Sequence, residues 1–122
     1  MSPVEKWFKS KGWKPQDFQV NCWEHYAKGE NIMLHAPTGT GKTYAVWGGI
    51  LNESFELKKI EEGINVVWVT PLRALAVEIQ KSTQQLSTDL KTDIKVDLRT
   101  GDTPQSRKAK QNKSFPFGLI TT

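Results

Sequence analysis

The chain has a single cysteine, Cys22, among its 122 residues, so no disulfide can form within it and a secreted, disulfide-built scaffold is excluded. Long apolar runs are also missing. Val66 to Val69 and Ala74 to Val77 are the longest, far short of the span a membrane helix needs. The early lysines Lys6, Lys9 and Lys11 are not followed by an apolar stretch, so nothing there resembles a secretory signal. The expected setting is a reducing cytoplasm. With only His25, His35 and Cys22 as soft ligands, no spacing suggests zinc. No Ser/His/Asp arrangement, internal repeat or low-complexity segment is visible.

The apolar share of 37% and the charged share of 25% are those of one small folded domain. Charge is unevenly placed. Residues 1–90 balance ten basic against ten acidic side chains, whereas residues 91–122 carry seven basic and three acidic, so the whole excess of +4 lies in the last quarter. That end suits a polyanion, although a solvated basic face accounts for such a run about as well.

Ser2-Pro3-Val4-Glu5 has the pattern of a capped helix start, and Gly12 should end that helix. A second helix is expected from near Pro15 to Ala27, with Phe18, Cys22 and Tyr26 on one face and Gly29 as its stop. Asn31 to Ala36 reads as a short buried strand, with His35 packed inside it. Thr43 to about Leu57 has helical spacing. Asn65 to Thr70 reads as a strand buried on both faces. Pro71 opens a helix to about Leu86 whose stripe is Leu72, Leu75, Ile79 and Leu86. Ile94 to Thr100 is a strand, Pro104 to Gln111 a polar helix, and Phe117 to Thr121 a last strand with no helix after it. The alternation predicts an α/β fold with a parallel sheet flanked by helices, apparently truncated.

The strongest signal is Ala36-Pro37-Thr38-Gly39-Thr40-Gly41-Lys42-Thr43, set between a predicted strand and helix. Small residues let backbone N–H groups wrap a phosphate at a helix N-terminus. Lys42 would reach the β- and γ-phosphates of ATP, and the Thr43 hydroxyl would hold Mg²⁺. A glycine-rich turn with an incidental lysine is a poor rival, because chance matches of this length and placement are rare.

This segment resembles motif I of superfamily 2 helicases. Thr70-Pro71-Leu72-Arg73-Ala74-Leu75 is similar to their motif Ia, Thr100-Gly101-Asp102-Thr103 to the glycine-containing motif after the third strand, and Leu119 to Thr122 to the opening of motif Ib. Together with Gly12-Trp13-Lys14-Pro15 and Phe18-Gln19, these are most similar to the large helicase-related group (Lhr-like, including its ligase-associated members) of DEAD/DExH-box helicases. The resemblance implies a RecA-like P-loop NTPase fold. Residues 1–30 would be N-terminal helices with an adenine-reading motif, and residues 31–122 the first part of the ATP-binding motor domain.

It also assigns roles. Gln19, 23 residues before Lys42, falls where the family reads adenine, with Pro37 through Thr43 around the phosphates. Thr70, Pro71, Arg73, Thr100, Gly101, Thr121 and Thr122 would grip one strand of nucleic acid, DNA rather than RNA. Bland alternatives stand beside these: a surface glutamine for Gln19, an ion pair with Glu78 or a neighbour for Arg73, a turn with a helix cap for Thr100 and Asp102. Trp7 and Trp13 are both candidates to stack on a base, or are simply packed. The DExH carboxylates and the second motor domain are not in the sequence, so the chain by itself is expected to bind but not turn over. Rival functions are a stand-alone P-loop nucleotide-binding module and an RNA helicase.

Overall fold

In the computed structural model, the described residues are 1–37, 41–57 and 60–122; Thr38, Gly39 and Thr40 lie outside them. The chain forms two compact units, Met1–Ile60 and Glu61–Thr122.

The first unit is helical: α1 (Pro3–Ser10), α2 (Asp17–Ala27) and α3 (Lys42–Glu56). Ser2 caps α1 as its position predicts, its hydroxyl accepting the Glu5 N–H at 3.2 Å. The core is aromatic. Trp7, Phe8 and Trp23 are buried, and Phe8 meets Trp23 edge to face with centroids 5.5 Å apart. α2 and α3 lie close because α3 offers glycine where α2 offers rings. A Cβ on Gly48 would stand 2.5 Å from Trp23 Nε1, and that indole donates to the Tyr44 carbonyl at 3.0 Å. Burial pushes the Cys22 thiol above its ordinary pKa. Tyr26 is raised by burial first and by neighbouring Glu53 second.

Residues 31–36 do not form the expected strand. A parallel strand exists only in a ladder, and among the described residues this run pairs with nothing. Met33 is 97% exposed, and His35 is exposed rather than packed in a core.

The second unit holds a parallel sheet of β1 (Val66–Val69), β2 (Val96–Arg99) and β3 (Gly118–Thr121), ordered β1-β3-β2. α4 (Arg73–Asp89) carries the chain from β1 to β2, and α5 (Gln105–Lys113) from β2 to β3. Gly118 pairs with Val66 on one side and Val96 on the other. Central Ile120 is buried.

Two expectations need correction here. β1 is not buried on both faces: Val67 and Val69 are 61% and 69% exposed, because α4 packs against β2 and β3. The buried stripe of α4 is Ala76, Ile79, Thr83, Leu86 and Ser87, while Leu72 and Leu75 are exposed. The helix begins after Pro71, which leaves Leu72 outside it as the N-cap. Buried Thr83 and Ser87 satisfy their hydroxyls on the carbonyls of Ile79 and Thr83, at 2.7 and 2.8 Å.

Edge strand β2 is closed by side chains. Gln84 accepts the Val96 N–H at 2.8 Å, Gln80 donates to the Val96 carbonyl at 2.8 Å, and Gln111 donates to the Leu98 carbonyl at 2.7 Å. Buried Gln111 also donates to Asp97 at 2.9 Å, which fastens α5 to the strand. These amides satisfy backbone groups that would otherwise template another strand.

Candidate functional site

In the first unit the site is built round the start of α3. Gly41 is the N-cap at φ 95°, a left-handed conformation that a side chain disfavours. Among the described residues no side chain caps the helix, which leaves the first-turn N–H groups and the partial positive charge of the dipole for a ligand. Lys42 and Thr43 follow at once, half-buried, and neither side chain has a hydrogen bond or ion pair among the described residues. A free ammonium, a free hydroxyl and open amides form a donor set that fits phosphate and a hard cation.

Gln19 is buried and locked to this loop. Its Nε2 donates to the Gly41 carbonyl at 3.1 Å, and its Oε1 accepts the Gln16 N–H at 2.9 Å. A Cβ at Gly41 would stand 2.5 Å from Nε2, so glycine is demanded twice, by conformation and by space. Trp23, through Tyr44, ties α2 to the first turn of α3 as well. Sequence reasoning missed Gln16, Trp23 and Gly48, since nothing in their spacing singles them out. Pro37 is exposed. Of the two tryptophans, Trp7 is buried while Trp13 is 48% exposed, its ring 6.3 Å from that of Tyr44.

An open cleft of about 220 Å³ lies elsewhere, along α1, α2 and α3. It is lined by Glu5, Glu24, Glu53 and Glu56 and would repel phosphate.

In the second unit the remaining residues gather at the carboxyl ends of the strands, where open α/β sheets bind ligands. Thr70 is buried at the end of β1 with its Oγ1 unpartnered, and its N–H donates to the Thr121 carbonyl at 3.0 Å. Pro71 is exposed. Arg73, the first residue of α4, reaches across to Asp102 with Nη1 2.8 Å from Oδ1. The alternative of an ion pair for Arg73 therefore stands, with Asp102 as the partner. Arg73 does not pair with Glu78, and Asp102 does not cap α5, whose N-cap is Pro104. The turn is fixed instead by Thr100, whose N–H donates to Thr103 Oγ1 at 2.9 Å and whose Oγ1 accepts the Asp102 N–H at 3.2 Å. Gly101 lies under the guanidinium. Thr121 donates its hydroxyl to the Arg99 carbonyl at 2.7 Å, and Thr122 is exposed.

No cluster of acidic, histidine or cysteine side chains suited to a metal occurs among the described residues. No described helix is long and apolar enough to cross a membrane.

The profile of the DEAD/DEAH box helicase family matches residues 16–122. ATP-dependent helicase Lhr-Core of Methanocaldococcus jannaschii is 32% identical over 98% of this chain and 16% of its own length. Lhr-Core protein 2 of Thermococcus barophilus is 34% identical over 98% and 15%. The structure of the Mycobacterium smegmatis helicase Lhr bound to ssDNA and AMP-PNP superposes on all of this chain and 17% of that one, with a TM-score of 0.80 at 27% identity. The chain thus spans about a sixth of the length of these relatives. With a RecA-like fold and an ordered set of motifs at its loop and strand ends, it belongs to the DEAD/DEAH box helicase family.

Proposed function

We propose that the chain is the ATP-binding and strand-gripping part of an ATP-dependent helicase motor that couples hydrolysis to unwinding of nucleic acid. The observation that carries this reading is the open N-terminus of α3, with Lys42 and Thr43 free beside it and Gln19 bracing Gly41. Amides at Gly41 to Thr43, with Gly39 and Thr40 before them, would surround the phosphates, and Lys42 would neutralise the β- and γ-phosphates. Thr43 would hold Mg²⁺ through its hydroxyl, and the ion would supply positive charge to offset that of the phosphates. Gln19 spends one donor and one acceptor on the protein, leaving one of each for the adenine edge. Half-exposed Trp13, rather than buried Trp7, would be the ring to stack on the base.

Thr70, Arg73, Thr100, Gly101, Thr121 and Thr122 would hold the backbone of a single strand without reading its sequence. The relative solved with ssDNA favours DNA over RNA.

The experiment is fluorescence anisotropy of labelled oligo(dT), paired with an ATP turnover assay on the same chain. Oligonucleotide should bind weakly and steeply with salt, as phosphate contacts do. Turnover should stay at the level of buffer, because these 122 residues contain no DExH motif to supply the carboxylates of phosphoryl transfer. DNA-stimulated turnover lost in Lys42→Ala would contradict this division of labour.

A further inference from the structure

The pairing of Arg73 with the turn after β2 calls for its own explanation. An exposed arginine–aspartate pair contributes little to stability, and Arg73 and Asp102 remain 58% and 70% exposed. Yet the turn is built to present that carboxylate: the Thr100 and Thr103 hydroxyls pin it from both sides, and Thr103 is buried. Gly101 completes the arrangement. A Cβ there would stand 2.7 Å from Arg73 Nη2 and 3.4 Å from Cζ, so the guanidinium lies against bare backbone.

We propose that Gly101 and Asp102 are the seat of Arg73, holding its guanidinium at the strand ends so that its remaining N–H groups are aimed at a phosphate of the bound strand. The inference rests on the reading of these strand ends as a nucleic-acid interface. Asp102 contacts Arg73 through one oxygen on one nitrogen. Arginine has five N–H donors in a rigid fork, so most are left over. A free arginine must surrender its rotamer freedom when it grips a phosphate, whereas a seated one has already done so. Asp102 is a positioning residue, acting on nucleic acid only through Arg73, and Gly101 adds this seating to the backbone contact proposed for it.

Labelled oligo(dT) anisotropy on the full 122-residue chain, from about 50 to about 200 mM salt, tests this. Arg73→Ala, Asp102→Ala and Gly101→Ala should each weaken binding several-fold. Each should also make the salt slope shallower by about 0.7, the loss of one phosphate contact on a single strand. Adding Asp102→Ala to Arg73→Ala should change nothing further, and Asp102→Glu should recover part of the loss. Gly101→Ala is the charge-neutral arm. Gly101 has no left-handed φ, and the clash falls on the flexible end of Arg73, so the thermal midpoint should hold while binding falls. Tighter binding by Asp102→Ala would overturn the proposal by making Asp102 a competitor for Arg73. Unchanged binding by Gly101→Ala and Asp102→Ala, with loss only in Arg73→Ala, would overturn the seat and leave the interface standing. Unchanged binding by Arg73→Ala would remove both.

Discussion

Gly41→Ala separates backbone strain from side-chain bracing at the loop. Gly41 sits at φ 95°, where a residue with a Cβ loses about 1–2 kcal/mol. The new methyl would stand 2.5 Å from Gln19 Nε2. Gln19 is buried and tethered through Oε1 to the Gln16 N–H, so it cannot retreat without giving up its bond to Gln16 or to Gly41. Losing one such bond costs about 1 kcal/mol. The sum is about 2–3 kcal/mol, a drop in thermal midpoint of roughly 10 °C for a chain of this size. Gly29→Ala is the control, since Gly29 has φ +74° but a Cβ there would meet nothing within 4 Å. It should show the strain alone. Scanning calorimetry of both variants, with urea melts followed by tryptophan fluorescence, gives the difference. Equal losses in the two would refute the claim that Gln19 braces the loop.

Trp23→Phe removes the indole donor to the Tyr44 carbonyl and should cost about 1–2 kcal/mol, read as a lower urea midpoint. Gln111→Ala strips the bonds that fasten α5 to Asp97 and Leu98; a loss of about 1–3 kcal/mol should appear in the same melt. Cys22 should react slowly with a disulfide reagent in the native chain and quickly in denaturant. Burial raises its pKa, so native thiolate is scarce below that raised value and grows only as pH climbs through it. Equal rates in the two states would contradict the packing of α2.

The helices are legible because their ends carry local chemistry. Ser2 and Pro3 at the start of α1, and left-handed Gly12 and Gly29 after α1 and α2, act within a few residues of themselves. Residues 31–36 mislead because their apolar run specifies burial, while a strand also requires a neighbour that composition does not reveal. Similarly, the leucines of α4 announce a stripe, but the position of Pro71 moves Leu72 out of the helix. The true buried face uses Thr83 and Ser87, whose hydroxyls are satisfied by their own helix. At the site, the proposed phosphate loop is read from its glycines and lysine. Partners distant in sequence are not: Gln19 with Gly41, and Arg73 with Asp102, meet only through the fold.

Calorimetric titration of the chain with ATP in the presence of Mg²⁺, wild type against Lys42→Ala, tests the central claim most directly. Lys42 is the lysine of the loop, free of any partner among the described residues, at the uncapped start of α3. The wild type should bind with measurable heat, and Lys42→Ala should show none while keeping the thermal midpoint of the parent. Equal affinity in the two proteins would contradict the assignment of this loop as the phosphate site.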